Sequence, residues 1–147
     1  MLRDRSLIPL SHSHQRALGL CVLVARDLAG DRGEENVARQ AQRIRKQYDV
    51  EIREHFAVEE SVLFPALTDF PGTAMLVDEL LAEHTEIAAL LEQMGHRATK
   101  DGIERFCELL TEHIRKEERM LFQQAQALLT REQLDELGRR IAEGARA

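Results

Sequence analysis

The stretch His55-Phe56-Ala57-Val58-Glu59-Glu60-Ser61-Val62-Leu63-Phe64 returns 58 residues later as His113-Ile114-Arg115-Lys116-Glu117-Glu118-Arg119-Met120-Leu121-Phe122. Both copies read His-apolar-x-x-Glu-Glu-x-apolar-Leu-Phe. Residues four apart on a helix share a face, with Cβ atoms about 5–6 Å apart. His55 with Glu59, and His113 with Glu117, can therefore each bring one imidazole and one carboxylate to a common point. Glu60 and Glu118, five residues after the histidines, fall roughly 140° around the helix and are expected on the outer face or a flank. Two such half-sites on two helices call for an architecture that turns both inward.

Working outward, period-3.6 patterning predicts five helices. The first follows Pro9 and Ser11, carries Leu18, Cys21, Val22, Ala25 and Leu28 on one face, and ends at Gly30-Asp31-Arg32-Gly33. The second runs from about Glu34 to Phe64, with Val37, Ala41, Ile44, Tyr48, Ile52, His55, Glu59 and Val62 in its stripe; Pro65 and the Asp69-Phe70-Pro71-Gly72 turn are expected to stop it. The third covers about Thr73 to Arg97, with Leu76, Leu80, His84, Ile87, Leu91 and Met94 in line. Lys100-Asp101-Gly102 precedes the fourth, about Ile103 to Leu129. Thr130 and Gln133 have capping-box spacing and open a short fifth helix. Short connections between long helices make neighbours antiparallel. The expected fold is all-α: an up-down-up-down four-helix bundle (about 8–129) with an extra C-terminal helix (about 130–147), one domain over 1–147. Leu134, Leu137 and Ile141 on the fifth helix suit either the bundle end or a second subunit, which leaves a dimer open.

Composition narrows the function. A chain of 147 residues is long enough to close one hydrophobic core. Its net charge of −6 argues against non-specific binding to nucleic acid or to an anionic membrane surface. No stretch reaches the ~18 apolar residues of a membrane span. The charged N-terminus lacks a following apolar signal core, since His12, His14, Gln15 and Arg16 interrupt it, so a cytoplasmic location is expected. Cys21 and Cys107, the two cysteines, sit in apolar helical stripes and read as reduced core residues. Met75, Met94 and Met120 read as core fillers, Tyr48 as core packing, and His96 as a surface residue.

Helices one and three each add an inward histidine. His14 lies four before Leu18, and His84 three before Ile87. His12 is the alternative to His14, which matches the stripe better. At 1.5 Å per residue, His14 and His55 stand roughly 24 and 32 Å above the Gly30 loop, and His84 and His113 roughly 21 and 18 Å from the Lys100 loop. His14, His55, Glu59, His84, His113 and Glu117 thus share a slab of the bundle. A metal-free core would bury two carboxylates beside several imidazoles, and buried ions are costly unless paired. A cation removes that cost. Imidazole with carboxylate suits iron, with manganese or zinc as alternatives, and the lack of cysteine donors argues against a structural zinc site. Six donors exceed one tetrahedral ion; two ions bridged by the two glutamates use them better.

This set, His14, His55-x-x-x-Glu59, His84 and His113-x-x-x-Glu117 spread over four helices, resembles the hemerythrin-like, or HHE cation-binding, family across roughly residues 8 to 125. The resemblance implies an antiparallel bundle around two iron ions with a bridging oxo or hydroxo group. Its members bind or respond to dioxygen, nitric oxide, peroxide or iron. Where oxygen carriers hold a second histidine one turn after the helix-three ligand, this chain has Ala88. Where they use an aspartate five residues after the last histidine, the four-residue spacing to Glu117 fits better here. The set is closer to bacterial proteins that repair iron centres and to iron-sensing domains of the family, though the cysteine-bearing N-terminal domain of many repair proteins is missing. Three function classes follow: a non-haem di-iron protein that binds or senses a small ligand, iron or redox state; an enzyme degrading peroxide or reducing nitric oxide at the same centre, or an iron-centre repair role; and a structural bundle with a vestigial site.

Overall fold

The computed structural model describes residues 2–144. Five helices account for nearly all of them, and no strand occurs among the described residues. Helix α1 is Ile8–Gly30, α2 spans 34–67, α3 is Pro71–His96, α4 spans 100–128 and α5 is Arg131–Gly144. Connections of two or three residues force successive helices to run antiparallel. Helix α1 packs beside α2 and α4, and α3 beside the same two, which closes a square four-helix bundle.

Local chemistry sets the ends. Thr99 caps α4, its hydroxyl accepting the Gly102 amide at 3.0 Å. At α5 the capping box forms in both directions: the Thr130 amide donates to Gln133 Oε1 at 2.9 Å, and the Gln133 amide to Thr130 Oγ1 at 3.1 Å. Helix α2 runs past Pro65 to Leu67, contrary to the expected stop. The reason lies just upstream, where Glu59–Leu63 form a π turn with i→i−5 bonding. That wider turn eases the contact between a proline ring and the carbonyl four residues back. Tyr48–Ile52 and Glu117–Leu121 form π turns as well.

The core comes in two blocks. One joins Ala17, Val24, Ile44, Phe56, Ile87, Phe106 and Ile114 with their neighbours. The other joins Leu7, Leu10, Leu63, Phe64, Leu80, Phe122 and the α5 residues Leu134, Leu137 and Ile141. Between them lies a layer of buried histidines and glutamates. Helix α5 covers the second block, so its apolar side is already buried within one chain. The stretch expected at the very end of that helix, up to 147, lies outside the described residues.

Two details of the core differ from the sequence reading. The inward line of α1 runs through His14, Ala17, Cys21, Val24 and Leu28, with Leu18 partly buried beside it, which leaves Val22 and Ala25 facing solvent. Met94 is buried, but Met75 and Met120 are 83% and 47% exposed and fill no core. Methionine is as apolar as leucine, so composition could not tell which of them faces water. No helix of the described residues is long and apolar enough to cross a membrane.

Helix α5 docks closely on the residues before α1. Arg5 and Asp4 pair with Asp135 and Arg131 of α5 at 2.9 and 2.5 Å. A methyl group at Gly138 would stand 2.9 Å from the Ser6 Cα, whereas one at Gly19 would meet nothing within 4 Å. Gly-to-Ala in an exposed helix ordinarily gains about 0.5–1 kcal/mol. Gly19→Ala should therefore raise the melting temperature, while Gly138→Ala should lower it by prising α5 from the N-terminal segment. Thermal unfolding followed by circular dichroism checks both; a rise in the Gly138 variant would contradict the docking.

Candidate metal centre

Four helices each bring a histidine to the polar layer, and the repeated motif supplies two glutamates. His14, His55, His84, His113, Glu59 and Glu117 are all buried, with both glutamates and His113 at 0% exposure. Their donor atoms fall into two overlapping groups, His14–His55–Glu59–Glu117 and Glu59–His84–His113, within which the atoms lie no more than 4.8 Å apart. Glu59 stands between the groups: its Oε2 is 3.4 Å from His55 Nε2 and its Oε1 3.2 Å from His84 Nε2. Glu117 does the same, with Oε1 3.3 Å from both His14 Nε2 and His113 Nε2. His84 and His113 Nε2 approach to 3.1 Å. His12, the alternative to His14, is exposed and plays no part.

The residues after the two glutamates have partners across the seams. Glu60 and Glu118 are on the flanks, as expected, yet they face histidines of neighbouring helices. Glu60 Oε2 is 2.9 Å from His84 Nδ1, and Glu118 Oε2 is 2.5 Å from His14 Nδ1. Glu118 also accepts from Ser11 Oγ at 2.8 Å and pairs with Arg3 at 3.2 Å. A third carboxylate, Glu83, was not anticipated. Its Oε1 is 2.8 Å from His113 Nδ1, and its other oxygen holds Lys116. Only the pattern of an acid beside each inward residue (Glu59-Glu60, Glu83-His84, Glu117-Glu118) could have hinted at it. A carboxylate on Nδ1 places the proton there and turns Nε2, as an acceptor, toward the centre.

Aromatic rings fix the imidazole planes. Phe56 stacks on His84 with centroids 3.8 Å apart, and Phe122 stacks on His14 at 5.5 Å. His55 differs from the other three, for no carboxylate meets its Nδ1. A cavity of about 280 Å³ between α1, α2 and α5, lined by Ser13, Glu51, Val58 and Ile141 among others, reaches this histidine. Ala88 is exposed on α3, so a histidine there would not face the centre; Leu80, fully buried, occupies the inward turn before His84.

The electrostatics of the protein without metal are strained. Burial would lower His14 and His113, but Glu117 and its neighbours outweigh it and raise them to about 9 and about 10. Burial lowers His55 to about 3. Burial and the adjacent Glu117 raise Glu59, while His113 and His14 hold Glu117 far below the ordinary carboxylate range against the effect of burial. Both oxygens of both glutamates, with Nε2 of His14 and His55, are buried and find no hydrogen-bond donor or acceptor. Buried carboxylate oxygens and imidazole nitrogens left without partners, beside histidines that hold extra protons to balance them, are a donor set that a divalent cation satisfies. The residues fit a metal.

The chain was compared with known proteins. The model for the hemerythrin HHE cation binding domain matches residues 9–125. No curated protein matches it.

The raised histidines dictate a pH response. A histidine whose folded pKa lies above its unfolded value contributes stability that is complete below about 6.5 and lost as pH rises through the folded value. His14 and His113 therefore make the metal-free protein lose stability between pH 6.5 and about 9 to 10. Cations must displace these protons, so metal should bind more tightly at the upper end of that window. Melting temperatures of metal-free and metal-loaded protein across pH 6.5–9.5 check this. A metal-loaded form no more stable than the metal-free form at any pH would contradict it.

Proposed function

This chain belongs to the hemerythrin HHE cation-binding family, and on that premise we propose that it is a non-haem di-iron protein that binds or senses a small ligand such as dioxygen, nitric oxide or peroxide, or iron and redox state itself. The observation that carries the proposal is the position of the two glutamates. Each carboxylate lies between one histidine of the His14–His55 pair and one of the His84–His113 pair. A single ion would leave one pair idle; two ions, with Glu59 and Glu117 shared, use all six donors.

Each residue then has a part. His14 and His55 would hold one ion, His84 and His113 the other, and the glutamates would serve both and offset part of their charge. Glu118, Glu60 and Glu83 fix the tautomers of three histidines. Iron held by these residues would supply reversible one-electron chemistry that no side chain here offers. The cavity beside His55 gives a small molecule a way in. The apolar blocks on both sides keep bulk water from the layer and strengthen every electrostatic contact inside it.

The test is metal analysis with an optical spectrum on protein purified from iron-replete cells. About two irons per chain and near-ultraviolet absorption from a bridged ferric pair are expected. One tightly bound zinc without iron would contradict the proposal. Turnover of peroxide or nitric oxide above the rate of free iron would move the protein to the enzyme class.

Substitutions separate the roles. Glu59→Ala or Glu117→Ala should lose close to both ions, because each touches both. His14→Ala or His84→Ala should keep one ion with weakened affinity. Glu60→Ala and Glu118→Ala should retain the site but bind metal about 10–100-fold more weakly, since they orient histidines without touching the ions. Metal content by mass spectrometry after dialysis against a graded chelator ranks the series. Glu60 or Glu118 variants that lose iron while the Glu59 and Glu117 variants retain it would show that the register is wrong.

A further inference from the structure

Away from the polar layer, the seam between α1 and α4 brings the two cysteines together. Cys21 is seven residues beyond His14, about 10 Å along the helix, and Cys107 lies on the antiparallel neighbour. The two thiols are close enough to perturb each other's ionisation, and the Thr111 hydroxyl, one turn past Cys107, lies beside them in the same groove. Both residues line a groove of about 510 Å³ with Leu18, Val22, Thr111 and Arg115. Val22 at its rim is 68% exposed, and Cys107 is partly exposed. The pair is thus packed against the core on one side and reachable from solvent on the other. Core packing alone explains one buried cysteine; it does not explain two cysteines from adjacent helices lining the same open groove.

We propose that Cys21 and Cys107 form a peroxide-sensitive dithiol, which closes to an intramolecular disulfide joining α1 to α4. The Cys21 sulfur attacks one oxygen of hydrogen peroxide, the O–O bond breaks, and the departing oxygen leaves as water, giving a sulfenic acid on Cys21. The Cys107 sulfur then attacks the Cys21 sulfur, the S–O bond breaks, and a second water leaves as the S–S bond forms. The two thiols lose two hydrogens and two electrons, and the peroxide is reduced to two waters. Cys21 takes the attacking role because the Cys107 thiol and the Thr111 hydroxyl both favour its thiolate. Cys107 is disfavoured as a thiolate by its contact with Cys21, by burial, and by Glu104 and Glu108. This device needs nothing from the metal layer and stands whether or not that layer holds iron.

Intact-mass spectrometry of the folded, metal-loaded protein tests the proposal. Several equivalents of hydrogen peroxide should lower the mass by about 2 Da, abolish both titratable thiols and raise the melting temperature, and dithiothreitol should reverse all three. Diamide, which oxidises thiols without a metal, should give the same link between the peptides carrying Cys21 and Cys107. The Cys107→Ser variant should stop at a sulfenic acid on Cys21 that dimedone traps, and Cys21→Ser should give neither product. Retention of both thiols in the folded protein under excess peroxide and diamide would overturn the proposal. So would a link found only between chains, or only after unfolding.

Discussion

Two carboxylates with no exposed surface, Glu59 and Glu117, stand in the middle of the bundle, and most of the rest is arranged around what they require. An isolated buried carboxylate costs several kcal/mol even after relaxation. Here the two lie close enough that Glu117 disfavours the ionisation of Glu59, while His113, Glu59 and His14 hold Glu117 in its charged form against burial. Four imidazoles surround them, none of which can neutralise both without taking up protons of its own. A fold that keeps such a layer, rather than filling it with leucine, has a use for it that packing does not supply.

The surrounding architecture follows from holding that layer still. It splits the hydrophobic core into two blocks, and Phe56 of one and Phe122 of the other stack on imidazoles of the layer. The π turns at Glu59–Leu63 and Glu117–Leu121 begin at the two glutamates themselves. By adding a residue to the turn, they shift the helix downstream relative to the half-site above it. From the second block, α5 and residues 3–6 brace the arrangement. Arg3 reaches Glu118, which in turn holds His14, and Asp4 ties the same segment to Arg131 of α5. The fifth helix is thereby linked to the centre through a short chain of ion pairs, besides covering apolar surface.

How much of this was legible in the sequence depends on whether the information was local. The five helices, the capping box at Thr130 and the six inward residues were all readable, since each rests on spacing within one helix. What escaped rests on which helices are neighbours. Glu60 and Glu118 were placed on flanks correctly, but their histidine partners belong to α3 and α1. Glu83 was missed because its partner is on α4. The heights expected for His14 and His55 differ by about 8 Å, yet their rings are 4.6 Å apart; the π turn at Tyr48–Ile52, between the loop and His55, takes up part of that difference. The contact of Cys21 with Cys107 is of the same kind, 86 residues apart in the chain and adjacent only once α1 lies on α4. Pro65 misled for a different reason, because the turn that accommodates it has no signature in period-3.6 patterning.

The central claim is that Glu59 and Glu117 are shared between two cations, one held by each histidine pair. Anomalous diffraction at the iron edge, from crystals of metal-loaded protein, tests it most directly. The account predicts two peaks about 3.5–4 Å apart, one beside His14 and His55, the other beside His84 and His113, with both glutamates between them. A single peak confined to one histidine pair, with the other pair unchanged from its metal-free arrangement, would contradict it.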